Sequence, residues 1–295
     1  MHVVIGGASG FLGSALADHL RTAGHDVVRL VRRPASSEGT SQWDPATGRI
    51  DQVLIDRADA VVNLSGAPIS QWPRTANRRR EILASRLGAT TTLARAVAKA
   101  PTPPVLLSGS GMSWYGVDRG TERLDESEGP GQGFLADVSQ QWEAAAQPAI
   151  DAGARTCFLR TSLVLDASGG VLRLMLPAWR LGGGARLGSG EQRMSLITRD
   201  DWVRAVAHLL DHEISGPVNL SMPATVTNAE FTDALADVLH RPTFLVAPAF
   251  AVRAVLGGLA DDLLGSLDVA PAALEASGFT FEAPDLTTAL EVATR

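Results

Sequence analysis

The stretch Val3-Val4-Ile5-Gly6-Gly7-Ala8-Ser9-Gly10-Phe11-Leu12-Gly13 decides how the rest of the chain is read. A short apolar run stops at Gly6-Gly7, and Gly7, Gly10 and Gly13 then follow with two residues between each. From Phe11 to Thr22, Leu12, Leu16 and Leu20 recur on one helical face. Gly24 marks the helix end. Strand, glycine turn and helix in direct succession are the context that a dinucleotide turn needs. Gly7 permits the tight turn, Gly10 lets the backbone approach a pyrophosphate, and Gly13 lets helix and sheet pack closely. The helix N-terminus offers free N–H groups and a partial positive charge to the phosphates. Ser9, Phe11 and Leu12 lie on the same turn and complete the expected phosphate contacts.

Working outward, β-like runs alternate with helical patterns. Val27 to Val31 is a second strand, and Ala60-Val61-Val62-Asn63-Leu64 another that ends at Ser65-Gly66. Arg79 to Ala98 reads as a long helix. Pro104-Val105-Leu106-Leu107 is a strand ending in Ser108-Gly109-Ser110; Leu135 to Ala152 is helical and Thr156 to Leu159 is a strand. Such alternation gives βαβ crossovers and a parallel sheet. The expected fold is α/β: a Rossmann-type doubly wound parallel sheet with a small, mostly helical C-terminal substrate subdomain. The sheet domain is assigned to residues 1–165 with a strand near 216–221, and the substrate side to 166–215 and 222–295.

The second strand runs into Arg32-Arg33. A site preferring NAD usually has Asp or Glu there to hold the ribose 2′-hydroxyl. Arginine instead pairs bidentately with a 2′-phosphate. The expected cofactor is therefore NADP(H), held in part by Arg32 and Arg33; the bland alternative is two solvated arginines.

Composition narrows the classes. The chain has 295 residues, 45% hydrophobic and 20% charged, enough for a sizeable core. A net charge of −6 gives no bulk attraction to nucleic acid, and no nucleic-acid partner is expected. The single cysteine, Cys157, excludes an internal disulfide and a cysteine-built metal site; no metal is expected. No apolar run approaches the roughly 20 residues of a membrane span, and a strand pattern begins at His2, so a cytoplasmic protein without a membrane partner is expected, as monomer or homodimer.

Several segments resemble the short-chain dehydrogenase superfamily in its extended or atypical branch, and especially a predicted sugar-nucleotide epimerase family with a C-terminal domain of unknown function. They are Gly6 to Gly13, Asp59 to Ile69, Ser108 to Gly116, Leu159-Arg160-Thr161, Met175-Leu176-Pro177, Leu187 to Gly190, Met194 to Ile197, Asp200-Asp201, Pro223 to Phe231 and Gly278-Phe279. The resemblance implies an NADP(H)-binding sheet and a cleft closed by the C-terminal part. It implies that Leu64, Ser65, Gly66 and Ala67 pass under the adenosine–ribose side of the cofactor, that Ser108, Gly109 and Ser110 approach the nicotinamide side, and that Arg160 belongs to the same region.

Active members of that superfamily use a Tyr-x-x-x-Lys helix and a serine at the end of the fifth strand. The lysine lowers the tyrosine pKa and the serine orients the substrate oxygen. Ser110 matches the serine. Counting back from Glu143 puts Leu135 at the tyrosine position and Ser139 at the lysine position. Tyr115 is the only tyrosine and Lys99 the only lysine, so no register restores the pair. Tyr115 is the candidate replacement, with Glu122, Asp137 and Glu143 as further carboxylates; packing or solvated roles stand beside each. Arg86, Arg160 and Arg180 are candidates for gripping phosphate or a substrate anion, or are structural. Two functions fit: an NADP(H)-dependent oxidoreductase or epimerase acting on a small polar substrate, such as a nucleotide sugar, and a non-catalytic NADPH-binding sensor.

Overall fold

The computed structural model describes residues 1–35, 37–69, 73–257 and 259–295. Its centre is a seven-stranded sheet: β1 (His2–Gly6), β2 (Asp26–Val31), β3 (Thr40–Gln42), β4 (Ala60–Asn63), β5 (Val105–Gly111), β6 (Thr156–Thr161) and β7 (Gly216–Leu220). The order is β7-β6-β5-β4-β1-β2-β3, with every neighbouring pair parallel. The chain winds one way from β1 to β3 and the other way from β4 to β7. The reversal lies between β1 and β4, and it is outside the C-terminal ends of the strands at such a switch point that open α/β sheets bind their ligands.

Burial explains why these runs are strands. Val3, Val4 and Ile5, and all four residues of β4, are buried, because helices cover both faces of a parallel sheet. Side chains alternate between the faces. Val3 and Ile5 join Leu16 and Leu20 of α1 (Phe11–Thr22) and, from a later helix, Trp202, Val206 and Leu209. Val4 turns to the other face, beside Trp43, Leu106, and Leu93 and Val97 of α2 (Ala76–Lys99). Thr75 caps α2 by accepting from the Arg78 N–H.

Two expectations need revision. The helix expected over Leu135–Ala152 is two: α3 (Phe134–Ala144) and a short helix Gln147–Asp151. Pro148 has no N–H for the preceding turn and its ring crowds that turn's carbonyl. The strand expected to end in Ser108-Gly109-Ser110 runs on to Gly111, paired with β6 along its length. The polar strand β3, Thr40-Ser41-Gln42, carries no apolar pattern and was not expected.

The C-terminal part builds a third core. Leu172, Leu176 and Trp179 of α4 (Gly170–Arg180) pack on Phe231 and Leu235 of a later helix and on Leu290. The Trp179 and Phe231 rings meet edge to face with centroids 6.5 Å apart. Between these parts runs α5 (Arg199–Asp211), followed after β7 by α6 (Asn228–Leu239) and α7 (Ala249–Leu256). Among the described residues no helix is long and apolar enough to cross a membrane.

Candidate functional site

At the open edge, the glycine turn has no room for side chains. Gly7 adopts φ +80°, and a Cβ there would lie 2.5 Å from the Leu64 carbonyl oxygen. A Cβ on Gly13 would lie 2.3 Å from the Gly7 oxygen. Both obstacles are backbone and cannot swing aside. Gly10 is the N-cap of α1, with no side-chain cap and no acidic residue in the first turn. The first N–H groups of α1 therefore face outward beside exposed Ser9 and Gly10, without a competing carboxylate. The Phe11 ring is turned away to roof Gly169, whose Cβ would fall 2.2 Å from it. Phe11 and Leu12 thus offer backbone to a phosphate.

The Leu64–Ala67 segment lies against the turn, as the Leu64 contact shows. Arg86 of α2, 8% exposed, supports it from below. Its Nη1 donates to the Ala67 and Ile82 carbonyls at 3.0 and 3.1 Å, and its guanidinium lies 4.8 Å from the Trp142 ring centroid. Burial, aided by the charge of Arg78, pulls Arg86 down to about 10. Arg86 is occupied by the loop's own carbonyls, so it shapes the loop. Arg32 and Arg33 extend past β2 into solvent, with no carboxylate ion pair among the described residues.

Sheet register sets Ser110, Arg160 and Asn219 side by side on β5, β6 and β7. Glu143 of α3 descends onto this row. Ser110 Oγ donates to Glu143 Oε1 at 2.7 Å. Arg160 donates to both Glu143 oxygens, Nε at 2.9 Å and Nη2 at 3.0 Å, a planar two-point pairing. The Trp114 ring covers the Arg160 guanidinium at 4.0 Å. Arg160 Nη1 also donates to the Tyr115 hydroxyl at 3.1 Å. That hydroxyl in turn donates to Asn219 Oδ1 at 2.8 Å.

This row places Tyr115 and Arg160 in the interior behind Ser110. Tyr115 has no exposed surface. Burial pushes its phenol pKa up despite the nearby Arg160 charge, the opposite of what a proton-abstracting tyrosine needs. Arg160 is 3% exposed and has both faces of its fork engaged. Neither reaches the cleft; both stand behind Ser110. The other carboxylates are elsewhere: Glu122 pairs with Arg119 at 2.8 Å on the surface, and Asp137 is exposed on α3. Ser139, at the lysine position, is buried with its hydroxyl 3.1 Å from that of Ser113.

Residues 3–221 match the NAD dependent epimerase/dehydratase family, and residues 247–293 match a domain of unknown function (DUF1731). The chain belongs to the NAD dependent epimerase/dehydratase family. It is 42% identical to the epimerase family protein Mb2239 of Mycobacterium bovis over 99% of this chain and 97% of that one. The human epimerase family protein SDR39U1, crystallised with NADPH, covers 100% of both chains at 33% identity with a TM-score of 0.89. A nucleoside-diphosphate sugar epimerase from Corynebacterium glutamicum is 34% identical with a TM-score of 0.82, and matches 100% of this chain but 59% of its own length.

Within this family fold, three features escaped the sequence. Asn219 ties the row to the tail, its Nδ2 donating to the Ala270 carbonyl at 2.8 Å. Glu126 accepts from the Asn219 and Ala273 N–H groups, and burial pushes its carboxyl pKa up. Arg199 joins Ser168 and Asp166 at 2.8 and 3.1 Å, 5.8 Å from the Phe11 ring. Each depends on register between distant segments, and no local pattern announces it.

Proposed function

We propose that this chain binds NADP(H) on the Gly7–Gly13 turn and exchanges hydride with a small polar substrate, such as a nucleotide sugar, over Ser110. The observation that carries the reading is the turn: two glycines barred from any Cβ by backbone, opening a helix with no side-chain cap and no acidic residue in its first turn. A pyrophosphate fits such a cradle. Arg32 and Arg33 suit a 2′-phosphate, and the human relative's NADPH accords with that choice. Leu64 to Ala67 support the adenosine–ribose side; Ser108, Gly109 and Ser110 lie toward the nicotinamide side.

When bound, the nicotinamide supplies or accepts the hydride. The protein's part is the proton. Ser110 gives its hydrogen to Glu143, which leaves its oxygen lone pairs to accept from a substrate hydroxyl. A proton leaving the substrate oxygen passes to Ser110 Oγ as the serine's own proton moves onto Glu143. Arg160, itself bonded to the Tyr115 hydroxyl, holds Glu143 in place for this relay.

Titration by nicotinamide fluorescence tests the cofactor. Arg32→Ala is expected to weaken NADPH about tenfold to a hundredfold, the value of a lost charge-assisted contact, and to leave NADH nearly unchanged. Equal losses for both nucleotides overturn the assignment. Turnover is tested by NADPH oxidation across sugar nucleotides and carbonyl compounds, with Ser110→Ala as the silent variant.

Two observations favour a second reading, the non-catalytic NADPH sensor. Leu135 and Ser139 stand where the Tyr and Lys would be, and Ser110 is 6% exposed with its proton engaged. Tight NADPH binding without oxidation across the panel would select the sensor.

A further inference from the structure

The surface farthest from expectation lies on the C-terminal part. Leu181, Phe244 and Phe250 are 89%, 86% and 76% exposed, and Leu174, Leu245 and Val255 are exposed as well. Folding hides large apolar side chains first, so a concentration of them in water signals a contact made with something else. The concentration has a structural basis. A short strand Ala185–Leu187 pairs in parallel with Leu245–Ala247, setting Arg186 beside Val246. Arg241 Nε donates to the Arg180 carbonyl at 2.8 Å and joins the end of α4 to the approach to Phe244. On α7, Val252 faces inward while Phe250 and Arg253 face out.

Charge identifies the partner. Residues 167–190 and 238–260 contain Arg173, Arg180, Arg186, Arg241 and Arg253 and not one Asp or Glu, in a chain of net charge −6. All five arginines are exposed. The acidic groups nearest along the chain are Asp166, Glu191, Asp237, Asp261 and Asp262. Asp166 is held by Arg199 at 3.1 Å and Asp262 by Arg74 at 2.6 Å; Asp261 lies 3.6 Å from Arg253. Arg180 and Arg186 have no carboxylate partner among the described residues.

We infer that this face docks on an anionic phospholipid surface, with the aromatic and aliphatic side chains in the acyl boundary and the arginines on the headgroups. Interfacial binding combines buried apolar area with attraction to anionic lipid, and this face supplies both. A second copy of the chain is a poorer occupant: a symmetric contact would set arginines against arginines. That no helix among the described residues is long and apolar enough to cross a membrane is compatible with such peripheral docking.

The test is co-sedimentation of the full chain with vesicles of phosphatidylcholine alone and of phosphatidylcholine with phosphatidylglycerol. Binding is expected only to the anionic vesicles and falls as salt rises from about 0.05 M to about 0.5 M. Arg180→Glu with Arg186→Glu is expected to weaken it more than about tenfold, near two charges' worth each of attraction lost and repulsion gained. Phe244→Ser with Phe250→Ser is expected to weaken it at any salt concentration. Thermal melting of both variants serves as the fold control, because all four side chains are exposed. The inference is overturned by equal binding to neutral and anionic vesicles, by no binding to either, or by variants that bind like the parent. It is also overturned if the chain binds polyglutamate but not vesicles, or if Phe244→Ser with Phe250→Ser converts a solution dimer to monomer.

Discussion

Gly13 and Gly129 make opposite forecasts for the same substitution. At Gly13 a new Cβ meets the Gly7 oxygen at 2.3 Å and the Ala8 Cα at 2.8 Å, both backbone. Gly13→Ala must therefore open the turn, costing about 1–3 kcal/mol by overpacking and at least about a tenfold loss of NADPH affinity. Around Gly129 nothing lies within 4 Å of an added Cβ. Gly129→Ala should stay within about 0.5 kcal/mol of the parent. Urea unfolding and nucleotide titration of the two proteins check the contrast. The Glu143–Arg160 pair gives a second forecast at this scale. Both side chains are under 10% exposed, and each satisfies the other. Arg160→Met strands a carboxylate in the interior and is expected to cost about 3–5 kcal/mol. Arg160→Met with Glu143→Met removes the stranded charge and should recover much of that loss. A double-mutant cycle by denaturant unfolding reads the difference; additive losses would mean that the pair is not coupled.

What the sequence could announce depended on how local each element's cause was. The β1–turn–α1 unit was readable because strand, glycines and helix start occupy one continuous stretch, and each glycine answers to a neighbour within it or to Leu64. The break in the helix after α3 was legible in principle from Pro148, but the apolar pattern on either side masked it. The β5–β6–β7 row was not legible. Ser110, Arg160 and Asn219 meet only through sheet register, and Tyr115 reaches Asn219 across 104 residues. The lone tyrosine, read from the sequence as a candidate acid or a packing residue, lies buried behind the serine. At α6 the local logic is strong. Thr227 caps the helix by accepting from the Glu230 N–H, while Glu230 accepts from the Thr227 N–H and hydroxyl at 2.7 and 2.9 Å. Those bonds, the backbone one foremost, hold the Glu230 carboxyl below its usual range. A group lowered on folding contributes stability above its unfolded pKa and loses it as pH falls through the folded value. Glu230→Gln should therefore lower stability at neutral pH and flatten the acid limb of the stability curve, by a small amount because Glu230 is exposed. Thr227→Ala should cost about 1 kcal/mol at neutral pH and somewhat less in acid, where Glu230 is protonated and the hydroxyl's bond to its carboxylate is already lost. Thermal melts between neutral and acid pH measure both.

At the scale of the whole molecule, sheet and tail are bound by buried polar bonds as well as by apolar packing. Leu274 and Phe279 of the tail reach the core beside Trp202 and Leu209. His208 of α5 faces Ser277 at 2.9 Å, and burial lowers its pKa, so it belongs to this seam. Asp201 is the central fastening. It is 1% exposed, and its two oxygens accept from the Glu282 and Ala283 N–H groups at 2.9 Å each, with Arg204 at 2.7 Å. Two backbone donors of a loop that lacks helix or strand are thereby satisfied inside the protein. Asp201→Asn turns one acceptor into a donor facing a donor. It is expected to cost about 1–3 kcal/mol and more than Asp201→Ser, which removes the clash but leaves one N–H to water. The loss should be local before it is global: amide exchange at Glu282 and Ala283 should rise well above that at Val4 and Ile5. NADPH affinity should change little, because the glycine turn lies on the sheet's own elements. Uniform acceleration of exchange throughout the sheet would mean that sheet and tail open as one cooperative unit. Unchanged exchange at residues 282 and 283 would mean that apolar packing alone holds the seam.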